Sequence, residues 1–218
     1  MKRRYELIVF DWDGTLMDSA AMIVHSVQAA ARDLGLTPPD EQRARHIIGL
    51  GLVEALRHAL PDLPEARYDD LVNRYRHHYL SRDHELTLFD GVETMLQDLQ
   101  ESRCWLAVAT GKSRRGLDRA LESSGLGPMF HATRCADECH SKPHPQMLQE
   151  LMAEFAVPPA STLMIGDTTH DLLMAKNAGV DAVAVSYGAH PLVALETVES
   201  RHCAHSIDDL AAWLKMNA

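Results

Sequence analysis

The sequence predicts an α/β protein with a doubly wound, Rossmann-like parallel sheet and an inserted α-helical domain. Two observations give this fold class. Short apolar segments rich in Val, Ile and Leu alternate with helical patterns along most of the chain, which is typical of buried parallel strands joined by helices. One stretch, residues 19–84, carries successive helical patterns without a strand candidate and is therefore expected to form a bundle of helices.

Five segments are strand candidates. Four are strongly apolar and one is weaker, and they are residues 5–10, 104–109, 162–165 and 181–186, with the weaker one at residues 131–135. The intervening segments place apolar residues three or four positions apart, as at Leu148, Leu151 and Phe155. Met147 and Met152 lie in the same pattern, so we expect both to fill the core.

The inserted helical pattern begins at Ser19, a plausible N-cap, and continues through Ile23 and Val27. Gly49-x-Gly51 interrupts it. No strand precedes these glycines and a third glycine is lacking, so they indicate a turn between helices rather than a dinucleotide-binding motif. The expected division is an α/β core domain of residues 1–16 and 88–218 and a helical domain of residues 17–87.

Composition excludes several classes of protein. The 218 residues carry 21 Lys and Arg against 31 Asp and Glu, a net charge of −10 that disfavours binding to nucleic acid or to an anionic membrane. The basic N-terminus is followed by only four apolar residues, Leu7 to Phe10, too few for an export signal. With four cysteines in the chain, these features predict a cytoplasmic protein with reduced thiols.

Carboxylates directly follow two of the strong strand candidates. Asp11 and Asp13 end the first apolar segment, and Asp167 and Asp171 follow the segment at residues 162–165. In an open parallel sheet these strand ends meet at one edge. Two like charges at about 4 Å repel by about 4 kcal/mol at an effective dielectric constant near 20, so the group should bind a divalent cation. Oxygen ligands favour Mg²⁺ over zinc.

Phosphate-binding features lie at the same edge. Thr110 and Gly111 end another strand candidate and offer a hydroxyl and a flexible backbone at the start of a helix. Lys142 supplies a cation, and Pro143 restricts the backbone of the lysine that precedes it. By this count, four carboxylates face one lysine.

These segments, Asp11-Trp12-Asp13-Gly14-Thr15, Thr110-Gly111, Ser141-Lys142-Pro143 and Gly166-Asp167 through Asp171, resemble the four motifs of the haloacid dehalogenase superfamily in its phosphatase branch. The resemblance spans nearly the whole chain. The helical insertion is similar to the small cap of that superfamily, and the wider pattern resembles phosphoglycolate phosphatases and related hydrolases of small phosphates.

The resemblance implies a role for each catalytic position. Asp11 would be the nucleophile that forms an aspartyl phosphate, and Asp13 would protonate the leaving group and then activate water. Thr110 and the backbone of Gly111 would hold the phosphoryl group, and Lys142 would screen its charge from Asp11.

The resemblance also implies a magnesium site. The ligands would be Asp11, the backbone carbonyl of Asp13, and Asp167, while Asp171 would hold the outer shell.

Other activities remain as alternatives. Asp13 disfavours cleavage of carbon–halogen or phosphonate bonds, because relatives with those activities lack an aspartate at this position. Sugar phosphomutases that resemble this chain carry a cap histidine at the position of Ile23, and His25 lies on a different side of the helix. A phosphomutase of the β-phosphoglucomutase type and a non-catalytic protein that binds phosphorylated metabolites are the alternatives.

Substrate choice is expected to depend on the helical insertion. Arg45, with His46 beside it, is the candidate for contact with the leaving group. By resemblance, the best substrate is 2-phosphoglycolate or a related sugar or organic-acid phosphate. The protein is expected to act as a monomer or homodimer.

Histidines and cysteines gather in one further stretch: His131, Cys135, Cys139, His140 and His144. Both residue types bind zinc, but the spacing lacks the second pair of a zinc motif and is a weak signal. The adjacent His77 and His78 are expected to be solvated on a polar helix.

Overall fold

The computed structural model describes residues 5–217 and contains one six-stranded, fully parallel sheet. The basic residues 1–4 considered above, and residue 218, lie outside the described part. The spatial order is β3-β2-β1-β4-β5-β6. The strands are β1 (Leu7–Phe10), β2 (Trp105–Thr110), β3 (Ala132–Cys135), β4 (Thr162–Gly166), β5 (Asp181–Val185) and β6 (His202–Ala204).

Ten α-helices are described. Four form the insertion between β1 and β2: α1 (Ala20–Asp33), α2 (Glu41–His46), α3 (Leu52–Ala59) and α4 (Tyr68–Arg82). The others are α5 (Val92–Glu101), α6 (Arg114–Ser124), α7 (Gln146–Phe155), α8 (Thr169–Ala178), α9 (Leu192–Leu195) and α10 (Ile207–Asn217).

Alternate residues of the central strand enter two separate cores. Ile8 and Phe10 of β1 pack in a cluster that includes apolar residues of α5 and α10. Leu7 and Val9 point to the other face, where they pack with α7 and α8. Because both faces of the strand are buried, β1 is apolar throughout, as expected for a parallel sheet between two helical layers.

Residues 20–85, called the helical segment below, have a hydrophobic core of their own. Its buried members come from α1 to α4 and the connections between them, and α1 packs against α4. Among the described residues, Ala189 is the buried member of this cluster from outside the helical segment. The two connections to the sheet run side by side, since Met17 pairs with Leu88 and the amide of Asp18 donates to the carbonyl of Thr87. The predicted boundaries at residues 16/17 and 87/88 fall at this pairing, and the division into two domains stays a prediction.

The predicted fold class is confirmed, and all five strand candidates form strands in the sheet. The sixth strand, β6, was missed because it has only three residues, and His202 and Cys203 are only partly buried. Met147 and Met152 lie in the core, as predicted. Within residues 5–217, no helix combines the length and the apolar character required to cross a bilayer.

Leu71 and Leu80 of α4 test the separate core of the helical segment. Leu71 is fully buried, whereas Leu80 is 41% exposed. Because Leu71→Ala leaves a cavity, we expect it to lower the free energy of unfolding by about 3 kcal/mol. Leu80→Ala should change it by less than about 0.5 kcal/mol. Urea denaturation followed by circular dichroism measures both, and equal effects would show that this core is not closely packed.

Candidate active site

The carboxyl end of β1 brings Asp11 into the centre of the molecule. The Asp11 amide donates to the carbonyl of Ile165 in β4, and its carboxylate is fully buried. One carboxylate oxygen lies 2.8 Å from the Lys142 ammonium. The other, Oδ2, has no hydrogen-bond or ion-pair partner among the described residues. A buried carboxylate oxygen without a partner is uncommon and indicates a position that another group occupies during function.

Lys142 joins two carboxylates. Its ammonium lies 2.7 Å from Asp171 as well as 2.8 Å from Asp11, and all three side chains are buried. Burial opposes the lysine charge, but Asp11 and Asp171 outweigh it and raise the pKa of Lys142. The lysine is therefore held as a cation between the two acids.

Asp171 also fixes the start of α8. Its Oδ2 accepts hydrogen bonds from the Thr168 amide at 3.1 Å and from the Thr168 hydroxyl at 2.6 Å, forming a capping box. This leaves Oδ1 directed at Lys142. The sequence motif thus uses one carboxylate both to cap a helix and to orient the lysine.

Asp167 is held by one hydroxyl and one backbone amide, and the backbone of two glycines packs closely against it. Its two oxygens accept from the Thr15 hydroxyl at 2.9 Å and the Ala189 amide at 2.7 Å. A Cβ atom on Gly14 or Gly188 would lie 2.2 or 2.3 Å from its Oδ2, so only glycine allows this approach. Burial, followed by the charge of Asp171, raises the pKa of Asp167 to about 7, although these two donors oppose the rise.

Three carboxylates, Asp11, Asp167 and Asp171, each place an oxygen within 4.8 Å of the others. Burial raises the pKa of Asp11 well above the ordinary carboxyl range, and Asp171 and Asp167 add to the rise that Lys142 opposes. Oxygen-only donors, an oxygen without a partner and mutual repulsion all fit a small divalent cation. The residues present therefore fit the predicted magnesium site.

Asp13 is not a member of this group of three carboxylates. Both of its oxygens lie 3.0 Å from the Lys112 ammonium, and Oδ1 also accepts from the Ser19 hydroxyl at 2.7 Å. Lys112 in turn donates to the Tyr79 hydroxyl of α4 at 2.9 Å. Burial opposes the charge of Lys112, but Asp13 and then Tyr79 raise its pKa.

The predicted balance of four carboxylates against one lysine is wrong. Lys112 is a second ammonium beside the same carboxylates, so the imbalance falls from three negative charges to two. The residue directly follows Thr110-Gly111, and its place at the strand end was the available signal. Its contact with Tyr79 lay beyond sequence reasoning, because the two residues are 33 positions apart.

The turn between α2 and α3, residues 47–51, lies over the strand ends. A Cβ atom on Gly111 would come within 2.5 Å of the carbonyl oxygens of Gly49 and Leu50, so Gly111 allows the turn to approach. The amide of Gly51 donates to the Ser141 hydroxyl at 2.9 Å. Thr110 is buried beneath the turn, and its hydroxyl accepts from the Lys112 amide at 3.2 Å. Gly49-x-Gly51 is a helix–helix turn, as predicted, with Gly49 at φ +93°.

Two histidines that the sequence did not single out hold this turn. His170 Nε2 lies 2.8 Å and His190 Nε2 3.2 Å from the backbone carbonyl of His46, to which both rings can donate. His190 Nδ1 accepts from the Thr169 amide at 3.1 Å. Both His190 nitrogens are thus occupied, which disfavours metal binding by the three histidines, although their nitrogens lie within 4.8 Å of one another.

Arg45, the predicted substrate contact, is directed along its own helix. Its Nε pairs with Glu41 at 3.0 Å, and it is not among the residues that line the cavity beside Asp11. The side chains of the histidine and cysteine stretch are only partly grouped, with the rings of His140 and His144 4.5 Å apart. His131 accepts from the Leu106 amide and packs on Trp105, and residues 131–144 contribute no member to either metal-sized group within the described chain.

A cavity of about 730 Å³ connects these groups to the helical segment. Asp11, Asp13, Thr110 and Lys112 line one side. Apolar side chains of the helical segment line the other, among them Ile23, Ile47 and Leu56. A molecule in the cavity would contact the polar strand ends and the apolar helices together.

Comparisons with known proteins agree with this arrangement. Residues 8–185 match the model of the haloacid dehalogenase-like hydrolase family. The chain is 38% identical over 200 residues to a protein named probable phosphatase IndB from Dickeya dadantii, covering 88% of this chain and 86% of that one. It is 31% identical to a phosphoglycolate phosphatase of Agrobacterium fabrum, covering 87% and 85%.

A solved structure described as a predicted phosphoglycolate phosphatase from Haemophilus somnus superimposes with a TM-score of 0.86 over the full length of both chains, at 24% identity. At 24% identity, this structural similarity establishes a shared fold and nothing about activity. The family match and the 38% identical relative establish the class: the chain belongs to the haloacid dehalogenase-like hydrolase family. The predicted resemblance is confirmed.

Asp11→Asn tests the repulsion within the acidic cluster. Because the raised pKa means that burying the Asp11 charge is unfavourable, the amide should stabilise the metal-free protein at pH 8 by about 1 kcal/mol, or about 2–4 °C in Tm. A raised folded-state pKa destabilises only where the group is ionised, so the gain should vanish below about pH 4. Thermal unfolding in chelator measures this.

The same variant tests the fit to a cation. Magnesium should raise the Tm of the unsubstituted protein and raise that of Asp11→Asn by less, because one carboxylate ligand is lost. An Asp11→Asn protein that is less stable than the parent in chelator, with an undiminished response to magnesium, would contradict this account of the cluster.

Proposed function

We propose that the protein is a magnesium-dependent phosphatase of small phosphorylated metabolites that works through an aspartyl phosphate. The observation that carries the proposal is the state of Asp11. Its carboxylate is buried beside the cavity, one oxygen pairs with Lys142, and Oδ2 has no hydrogen-bond or ion-pair partner within residues 5–217. A carboxylate oriented by a cation through one oxygen offers the other as a nucleophile.

The magnesium ion would be held by the side chains of Asp11 and Asp167 and by the backbone carbonyl of Asp13, with Asp171 supporting the site. When bound, it would neutralise charge on the phosphoryl oxygens and on the carboxylates around them.

In the first step, Asp11 Oδ2 attacks phosphorus and the bond from phosphorus to the leaving oxygen breaks. Asp13 transfers a proton to that oxygen, so that an alcohol departs. The Thr110 hydroxyl and the Gly111 backbone would orient the phosphoryl group, and Lys142 reduces its repulsion from Asp11.

In the second step, the ionised Asp13 takes a proton from water as the water oxygen attacks phosphorus. The bond from phosphorus to Asp11 breaks, inorganic phosphate leaves, and the Asp11 carboxylate is restored. Asp13 ends the cycle protonated, as the first step requires. Splitting hydrolysis in this way replaces one difficult displacement with two easier ones.

The substrate proposed is 2-phosphoglycolate or a related sugar or organic-acid phosphate, a choice that the relative named phosphoglycolate phosphatase supports. The phosphomutase alternative receives no support from the cavity. Ile23, at the position of the mutase histidine, is an apolar wall residue, and His25 is exposed. A cytoplasmic location and a monomeric or homodimeric state stay predictions.

Asp11→Asn and Asp18→Asn form a matched pair for activity. We expect Asp11→Asn to lower kcat for phosphate release by at least about 10³-fold, because an amide cannot form the acyl phosphate. Asp18 is exposed, so the same substitution there should leave kcat within about twofold. Phosphate release from a panel of phosphorylated metabolites, with magnesium and then with chelator, provides the measurement.

Chelator should abolish turnover and added magnesium should restore it. Hydrolysis by Asp11→Asn at the rate of the parent would contradict the assigned nucleophile. Transfer of phosphate between positions of a hexose phosphate, without release to water, would favour the phosphomutase alternative.

A further inference from the structure

Lys112 has a largely buried side chain, and its contacts account for all three N–H donors of its ammonium. It contacts both oxygens of Asp13 at 3.0 Å and the Tyr79 hydroxyl at 2.9 Å, and its nitrogen lies 4.9 Å from the centre of the Tyr79 ring. Its side chain is 11% exposed and lines the cavity. The lysine thus joins the catalytic side to α4 of the helical segment at the place where a leaving group would lie.

This arrangement conflicts with the work proposed for Asp13. Lys112 contacts both Asp13 oxygens, and the Ser19 hydroxyl also donates to Oδ1. To give a proton to the leaving group, a carboxyl oxygen must come within about 3 Å of the ester oxygen. Lys112 competes with the ester oxygen for the Asp13 carboxyl group, so we expect it to withdraw from at least one Asp13 oxygen when substrate binds.

A buried ammonium leaves a carboxylate readily only if another anion replaces it. The helical segment contributes two carboxylates to the cavity lining, but Glu54 is exposed, and Asp83 is more exposed than Lys112 and pairs with Arg119. The substrate itself must then supply the anion that pairs with Lys112. Because Lys112 and the ester oxygen would both lie about 3 Å from Asp13, the anion belongs one or two carbons from the ester oxygen.

The other cations around the cavity are less suited to this task. Lys142 is held between Asp11 and Asp171, on the phosphoryl side of the site. Arg76, Arg115 and Arg119 line the cavity but are exposed, and Arg119 pairs with Asp83. Among the cavity-lining residues of the described chain, Lys112 is the least exposed cation.

We propose that Lys112 is a specificity-determining residue that binds a carboxylate on the leaving group and thereby releases Asp13 to act on the ester oxygen. The proposal rests on the proposed phosphatase function. It narrows the substrates to phosphate monoesters of short hydroxy acids, because a neutral leaving group has no anion to replace Asp13 as the partner of the Lys112 ammonium.

Two esters of similar size isolate the charge. 2-Phosphoglycolate carries a carboxylate next to the ester carbon, and 2-hydroxyethyl phosphate carries a neutral hydroxymethyl group in its place. The parent protein should favour 2-phosphoglycolate in kcat/KM by at least about tenfold, as expected for one charge-assisted contact. This comparison needs no variant and so does not depend on how any variant folds.

Lys112→Met then tests the residue. The ratio of the two kcat/KM values should fall by about tenfold, to near one, whereas Lys112→Arg, which keeps the charge, should hold it within about threefold of the parent. Lys176→Met is the matched control, because Lys176 is exposed on α8 and the same change there should leave the ratio within about twofold.

Three results would overturn the inference: a parent protein that hydrolyses both esters equally, a Lys112→Met ratio equal to that of the parent, or a Lys112→Arg ratio as low as that of Lys112→Met. These differ from failure of the proposed function, in which the parent would release no magnesium-dependent phosphate from either ester or from other monoesters.

Discussion

The site depends on the burial of three carboxylates, Asp11, Asp167 and Asp171, beside the single ammonium of Lys142. Removing these groups from water is unfavourable, and the one lysine compensates for only part of the charge. The fold tolerates the cluster because the backbone supplies donors, as for Asp167, and because Asp171 caps α8. The negative charge that remains uncompensated fits the proposed binding of a cation, which would in turn reduce the repulsion between these carboxylates and a phosphoryl group. The buried carboxylates thus lower the stability of the fold at the centre of the sheet and supply the groups that the proposed function uses.

The helical segment completes the site from the other side. Its α2–α3 turn contacts Gly111 and Ser141, and the carbonyl of His46 lies against the buried imidazoles of His170 and His190. Burial, followed by the neighbouring His170, lowers the pKa of His190 to about 4, so this imidazole is neutral at physiological pH. The turn is therefore held by neutral hydrogen bonds and close backbone packing. Under the proposed function, the phosphoryl group would bind at the strand ends and the leaving group would lie in the cavity beside the helical segment.

Much of this arrangement could be predicted from the sequence. Apolar strands buried on both faces produce an unmistakable pattern, as in Leu7 to Phe10, and parallel strands must bring Asp11 and Asp167 to one edge. Contacts between distant segments could not be predicted in the same way. Lys112 meets Tyr79, and His46 meets His190, only because the helical segment folds back over the sheet, and no local pattern encodes that approach. The orientation of Arg45 could not be predicted either, because its position at a helix end near the turn does not show that its side chain pairs with Glu41.

The most direct test of the central claim is anomalous diffraction from crystals of the protein soaked in Mn²⁺, a divalent ion that takes oxygen ligands as magnesium does. The account predicts one strong peak between the carboxylates of Asp11 and Asp167, with Lys142 still paired to Asp171. A peak among His46, His170 and His190 with none at Asp11, or no peak near Asp11 at all, would contradict it.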